Sequence, residues 1–210
     1  MTDYFRPLLR MDGPRPQDAL RVGWCWFDKV AVHSRGQEPR LIAACEVPAS
    51  VLKMMTRARA PVASMKMERP RIMGILNVTP DSFSDGGDFQ APDHARAHAL
   101  KMIAAGADIL DIGGESTRPG AETVDNAREI ARTSPVIASI RAVSDVPISI
   151  DTRKADVAAG AVAAGAGLIN DVAAMTFDPD MIDVVARSKK PICLMHALGD
   201  PATMQNNPEY

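Results

Sequence analysis

Five short apolar runs in the second two-thirds of this 210-residue chain each end in side chains able to do chemistry. The first is followed by Asn77-Val78-Thr79-Pro80-Asp81-Ser82-Phe83-Ser84-Asp85-Gly86-Gly87, the second by Gly113-Gly114-Glu115-Ser116-Thr117-Arg118-Pro119-Gly120. The third ends in Asp151-Thr152-Arg153, the fourth in Asn170-Asp171 and the fifth in Met195-His196. The paired glycines permit tight turns and close approach of backbone to a ligand. Thr117 and Arg118, backed by backbone N–H groups, suit an anion cradle, because a guanidinium matches phosphate or carboxylate oxygens in fork geometry. Asp151 and Asn170 suit a different task. A carboxylate beside a carboxamide can accept and donate along the edge of an amino-pyrimidinone ring. Asn77 could offer one oxygen to a Mg²⁺ ion bound mainly through substrate phosphates.

Each residue also has a plainer reading. Asp151 precedes a helical run and could cap it, Arg118 could be a solvated loop residue, and Asn77 could form a turn. Polar ends on five strands out of five exceed what loops alone supply. His94 and His98 stand at i and i+4, a metal-pair spacing, but no third ligand lies nearby and the helix-face reading wins. His196 reads as a packed histidine at a strand end. Cys25, Cys45 and Cys193 are scattered with no metal-ligand spacing and read as reduced thiols. There is no G-x-G-x-x-G and no Walker A loop.

The positioning elements alternate regularly from Arg71 onward. Apolar runs near 71–77, 108–113, 147–151, 167–171 and 191–196 are separated by helical patterns, which reads as β-α-β-α-β-α-β-α-β with parallel strands. Gly106 and Gly165 end two of the helices. Pro135 is expected to kink the helix between 126 and 143, or to start a new one. Five strands alone do not choose between a doubly wound sheet and a (β/α)₈ barrel, and both place active residues at the C-terminal strand ends. Residues 1–68 form a separate N-terminal extension of irregular texture, with one or two strands near 21–33, another over Leu41–Val47, and a short helix over Val51–Arg59. No chemistry is evident there.

The segments Gly74–Gly87 and Asp111–Gly120 resemble the two diagnostic motifs of dihydropteroate synthases, a pterin-binding enzyme family. Ser149-Ile150-Asp151-Thr152, Ile169-Asn170-Asp171 and Leu194-Met195-His196, with Pro201–Tyr210, follow in the family's order. The resemblance spans residues 69–210 and implies a (β/α)₈ TIM barrel. The implied reaction is condensation of p-aminobenzoate with 6-hydroxymethyl-7,8-dihydropterin pyrophosphate in folate biosynthesis, the step that sulfonamides target. By resemblance Asp151 and Asn170 hold the pterin ring, and Val172 and Met195 line its slot. Asn77 is the Mg²⁺-side ligand. Thr117, Arg118 and Asp85 are the catalytic groups, and Phe83, Ser84 and Gly86 belong to a loop over the substrates. A homodimer is implied for the full-length enzyme.

The chain departs from the family in length. A (β/α)₈ barrel takes about 250 residues, and the family's Asp-Pro-Gly after the sixth strand, lysine after the seventh and Arg-x-His after the eighth have no counterpart. The expectation is therefore about five βα units, an incomplete barrel forming the N-terminal part of a longer enzyme. The alternatives are a non-catalytic pterin-binding short form, or a methyltetrahydrofolate-binding module of a methyl-transfer protein. A net charge of −2 and 24% charged residues give no reason to expect a nucleic-acid or membrane partner. The N-terminus has no apolar signal segment, so a cytoplasmic location is expected.

Overall fold

A computed structural model describes residues 3–79, 87–116 and 123–196. The chain divides into two compact units, Met1–Pro61 with Lys66–Pro70 and Val62–Met65 with Arg71–Tyr210. No helix among the described residues is long and apolar enough to cross a membrane.

In the first unit, β1 (Asp3–Pro7), β4 (Lys29–Ser34) and β5 (Arg40–Ala43) form an antiparallel sheet in the order β1-β4-β5, while β2 (Leu20–Val22) pairs with β3 (Cys25–Phe27). Phe27, Val30, Ala44 and Val47 make its small core, with the helix α1 (Ala49–Thr56) packing Val51, Leu52 and Met55 against it. The sequence gives no hint of β1, whose residues match strand pairing only through their register with β4. The strand expected over Leu41–Val47 is shorter. It stops at Ala43, where the Glu46 carboxylate accepts from the Ala43 N–H at 2.7 Å and winds Ala44–Glu46 into a 3₁₀ turn.

The second unit holds β6 (Met73–Asn77), α2 (Gly87–Ala104), β7 (Ile109–Gly113), α3 (Asn126–Arg141), β8 (Ile148–Asp151), α4 (Ala155–Ala164), β9 (Leu168–Asp171), α5 (Met181–Ser188) and β10 (Ile192–Leu194). All four strand pairs are parallel, and the order is strictly sequential, β6-β7-β8-β9-β10. Sequential order settles the fold class. A doubly wound sheet reverses at a switch point, whereas a barrel never does. These are five successive strands of an incomplete α/β barrel.

Side chains alternate across a strand, so each register row belongs to one face. Leu76, Ile112, Ile150 and Ile169 are paired neighbours, all buried, and join Leu110 and Ile148 under the helices. From α3 come Val136, Ile137 and Ile140; from α4, Val157, Ala158 and Ala161. The Asp125 side chain caps α3 by accepting from the Arg128 N–H at 2.9 Å. Gly106 (φ 104°) and Gly165 (φ 115°) take the left-handed conformation that ends α2 and α4.

Pro135 neither breaks α3 nor starts a new helix; α3 is assigned continuously from Asn126 to Arg141. An interior proline costs about 3 kcal/mol. Burial of Thr133, Val136, Ile137 and Ile140 on either side outweighs that, at about 1.5–3 kcal/mol for each large apolar side chain.

Gly114 follows β7 with no room to spare. A β-carbon there would lie 2.8 Å from Thr133 Cγ2 and 2.9 Å from Glu129 Cγ. At Gly74 the nearest atom, 2.9 Å away, is the flexible Met102 sulfur. Gly114→Ala should therefore destabilise the chain by about 1–3 kcal/mol, and Gly74→Ala by less. Urea denaturation of both variants checks the ranking, which an equal loss would contradict.

Candidate functional site

The parallel register places Asn77 opposite Gly113, Gly113 opposite Asp151, and Asp151 opposite Asn170. These four residues form one row at the C-terminal strand ends, on the face away from the helices. Gly113 puts no side chain in the middle of the row. A β-carbon built on it would lie 3.5 Å from Asp151 Oδ2 and 3.6 Å from Asn77 Oδ1, so the two polar groups converge over it. Next on that face are Asp111 and Ser149, two residues earlier on β7 and β8.

Asp111 was not singled out from the sequence, and it organises this surface. It is 5% exposed. Its Oδ2 accepts from Asn170 Nδ2 at 3.1 Å, and its Oδ1 takes a hydrogen bond from the buried Ser149 hydroxyl. The available signal was a lone carboxylate at the middle, open-face position of an otherwise apolar strand, Ile109–Gly113.

Asp151 is treated differently. Its Oδ1 is buried and has no hydrogen-bond partner. Burial first, and then the charges of Asp111, Glu129, Asp171 and Glu115, push its carboxyl up to about 7. It does not cap α4, because the N-cap position is Lys154. A half-buried carboxylate with one unpartnered oxygen and a displaced pKa at the strand ends is the pattern of a ligand-binding group.

Behind the row lies a buried ion cluster that sequence reasoning also missed. Lys154 Nζ, 4% exposed, reaches Glu115 Oε2 at 2.9 Å, Glu129 Oε2 at 2.7 Å and the Val124 carbonyl at 2.5 Å. Glu129 Oε1 accepts from the Thr152 hydroxyl at 2.9 Å, and Glu115 Oε1 from the Val124 N–H at 3.1 Å. Arg153 stands 3.6 Å from Glu115 and stacks 4.0 Å over the Phe177 ring. The cluster fixes the turn after Asp151 and ties it to Glu115 and Val124. The two carboxylates on Lys154 lie 25 and 39 positions away in sequence, so no local pattern announces the cluster.

Asp171 is fully buried and turned into its own loop, accepting from the Ala173 and Met175 N–H groups at 2.8 and 2.7 Å. Val172 is half-buried beside it, and the Met195 N–H donates to the Asp171 carbonyl at 3.2 Å, which brings Met195 to the same strand ends. The structure thus brings Asn77, Asp151 and Asn170 together, with Val172 and Met195 next to β9. Phe83, Ser84, Asp85, Gly86, Thr117 and Arg118 lie outside the described residues. Among the described residues no group of three or more His, Cys, Asp or Glu could hold a metal ion.

The Asp151 shift has a sign that can be checked. Its folded pKa, about 7, lies above the usual 3.8, so the folded chain binds the extra proton. Stability contributed by that proton is complete below about pH 4 and is lost as pH rises through about 7. Asp151→Asn should therefore match the parent near pH 4 and exceed it by about 2–4 kcal/mol at pH 8. Denaturation midpoints across that range test this, and a pH-independent difference would refute it. Lys154→Met, which strands two buried carboxylates, should cost about 3–5 kcal/mol by the same measurement.

Comparison with known proteins agrees with this architecture. The model of the family described as pterin binding enzyme matches residues 73–210. Dihydropteroate synthase from Synechocystis sp. is 52% identical over 143 residues, covering 68% of this chain and 50% of that protein. The Bacillus subtilis dihydropteroate synthase is 54% identical over 136 residues, 65% of this chain and 48% of its own length. The chain spans about half the length of the curated relatives it matches. Among solved structures, Yersinia pestis dihydropteroate synthase with a sulfonamide drug is similar at a TM-score of 0.62 and 48% identity, covering 68% of this chain and 51% of that one. The Xanthomonas albilineans enzyme with 4-aminobenzoic acid gives 0.59 and 53%, over 62% and 48%. A half-buried carboxylate and carboxamide at the ends of sequential parallel strands, with a family match over residues 73–210, place this chain in the pterin-binding enzyme family.

Proposed function

We infer that this chain is the pterin-holding part of a dihydropteroate synthase, which condenses p-aminobenzoate with 6-hydroxymethyl-7,8-dihydropterin pyrophosphate and releases pyrophosphate. The observation that carries the reading is the Asn77–Gly113–Asp151–Asn170 row, with one buried oxygen of Asp151 left unpartnered. A flat ring whose edge carries an amino group and ring N–H can donate to that carboxylate, and glycine at 113 puts no side chain between Asn77 and Asp151.

In the reaction the bond between the pterin methylene and pyrophosphate breaks, and the electron pair leaves with pyrophosphate. The aromatic amine of p-aminobenzoate then bonds to the methylene and releases a proton. Asp151, in the carboxylate form that accepts from the ring, supports this by holding negative charge beside the ring while the methylene becomes cationic. The family resemblance assigns Thr117 and Arg118 to pyrophosphate and p-aminobenzoate, with Asp85, Phe83, Ser84 and Gly86 on the loop beside them.

Asn77 fits Mg²⁺ of a particular kind. Its Oδ1 converges with Asp151 over Gly113, but one amide oxygen is too little for an all-protein site. That suits an ion held chiefly by substrate phosphates. When bound, Mg²⁺ would neutralise charge developing on the departing pyrophosphate.

Calorimetric titration with the dihydropterin pyrophosphate tests the reading. The chain should bind it, and Asp151→Asn should weaken binding about 10- to 100-fold, the effect of losing one charged, buried hydrogen bond. Equal binding by parent and variant would sink the assignment of Asp151. Binding without any p-aminobenzoate-dependent product would favour a pterin-binding module that is not catalytic in this form.

A further inference from the structure

We propose that Asp111 is the specificity-determining residue of this site, because it fixes which end of the Asn170 carboxamide is presented to the ring. The inference rests on the pterin-site reading above and adds a residue that need not touch the ligand.

The argument is one of hydrogen-bond valence. A carboxylate only accepts, and a carboxamide accepts at oxygen and donates at nitrogen. Asp111 has its two oxygens committed to two donors. Ser149 Oγ donates to Oδ1, and Asn170 Nδ2 donates to Oδ2 at 3.1 Å. Asp111 is 5% exposed and Ser149 fully buried, so water does not compete for these bonds. The Asn170 nitrogen is therefore held toward β7, and its oxygen is turned away from Asp111. Beside it in the row stands Asp151, also an acceptor. The ring edge then meets two acceptors, which suits a 2-amino-4-oxo pteridine. The 2,4-dioxo analogue, with a carbonyl in place of the amino group, presents acceptor to acceptor.

Asp111→Asn is the informative change because it replaces one carboxylate oxygen with an NH₂ group at almost no change in volume. Ser149 still needs an acceptor and keeps Oδ1 facing it. The new nitrogen then falls where Oδ2 was, now as a donor toward Asn170. Asn170 can satisfy it only by turning over, which brings its own NH₂ round to the ring. The acceptor becomes a donor, and the preference for the amino pteridine over its dioxo analogue should fall by about tenfold or more. A residue that merely supported the fold would weaken both ligands alike.

Two measurements on the full 210-residue chain test this. In the first, the ligand-free protein is labelled with ¹⁵N and the Asn170 side-chain amide is followed by NMR. In the parent its bonded proton should be downfield and slow to exchange. In Asp111→Asn that signature should disappear, and in Ser149→Ala, which loosens Asp111, it should weaken. An unchanged Asn170 amide in Asp111→Asn would overturn the proposal whether or not any ligand binds. In the second, the affinities of 6-hydroxymethylpterin and its 2,4-dioxo analogue are compared by calorimetry. A fall in their ratio, carried by both variants in the order Asp111→Asn then Ser149→Ala, is expected. Parent binding with an unchanged ratio would overturn Asp111 as the determinant and leave the pterin reading intact. No binding of either ligand by the parent would instead overturn the pterin reading, and the specificity role with it.

Discussion

The register of the parallel ladder from β6 to β10 is the constraint on which everything else rests. Asn77, Gly113, Asp151 and Asn170 share a row only because Leu76, Ile112, Ile150 and Ile169 share the neighbouring one. A one-residue slip of β8 would turn Ile150 out of the core and drive the Asp151 carboxylate in beneath the helices. Such a slip exposes each aliphatic side chain at about 1.5–3 kcal/mol and buries an unpaired charge at several more. The aliphatic row therefore holds the polar row in place. Packing that has no contact with a ligand sets the geometry of the ligand site.

That polar face and its surroundings concentrate negative charge, and each carboxylate is handled by a different device. Glu115 and Glu129 share Lys154. Asp171 is satisfied by two N–H groups of its own loop. Asp111 is answered by a hydroxyl and a carboxamide. Only Asp151 keeps an oxygen unanswered, and the fields of the other four add to the burial that raises its pKa. The electrostatic cost of the whole surface is thereby gathered at one position. That is what a binding group requires, since a ligand supplying the missing donor recovers the cost.

Much of this was legible in the sequence, for local reasons. The strands, the helices and the polar residue after each strand follow from periodicity and from the glycines at 106 and 165, all short-range signals. The paired motifs around Asn77 and Gly113 carried the family. What stayed hidden depends on distance along the chain. Strand order, which separates a barrel from a doubly wound sheet, comes from pairings between elements tens of residues apart. Asp111 was passed over inside a strand whose other residues are all core-like or glycine, and its importance emerges only when Ser149 and Asn170 arrive beside it. Lys154 carries no local signal, and its role emerges only when Glu115 and Glu129 close on it. Pro135 starts no new helix, because burial on both sides of it keeps α3 continuous from Asn126 to Arg141.

The seclusion of the Lys154 cluster has a consequence for the ionic medium. Mobile ions attenuate an attraction only where they can surround it, over about 10 Å at 0.1 M salt. The pairs of the N-terminal unit, Arg10–Asp12 at 3.2 Å and Arg40–Asp3 at 3.7 Å, lie in the open and fade as salt rises. Glu115, Glu129 and Lys154 are walled off from that atmosphere, with the lysine 4% exposed. The scaffold behind the row is thus indifferent to ionic strength, while the outer face of the chain is not. Any salt sensitivity in ligand binding must then arise from the charge on the ligand and the groups that meet it, because the framework holding Asp151 contributes none.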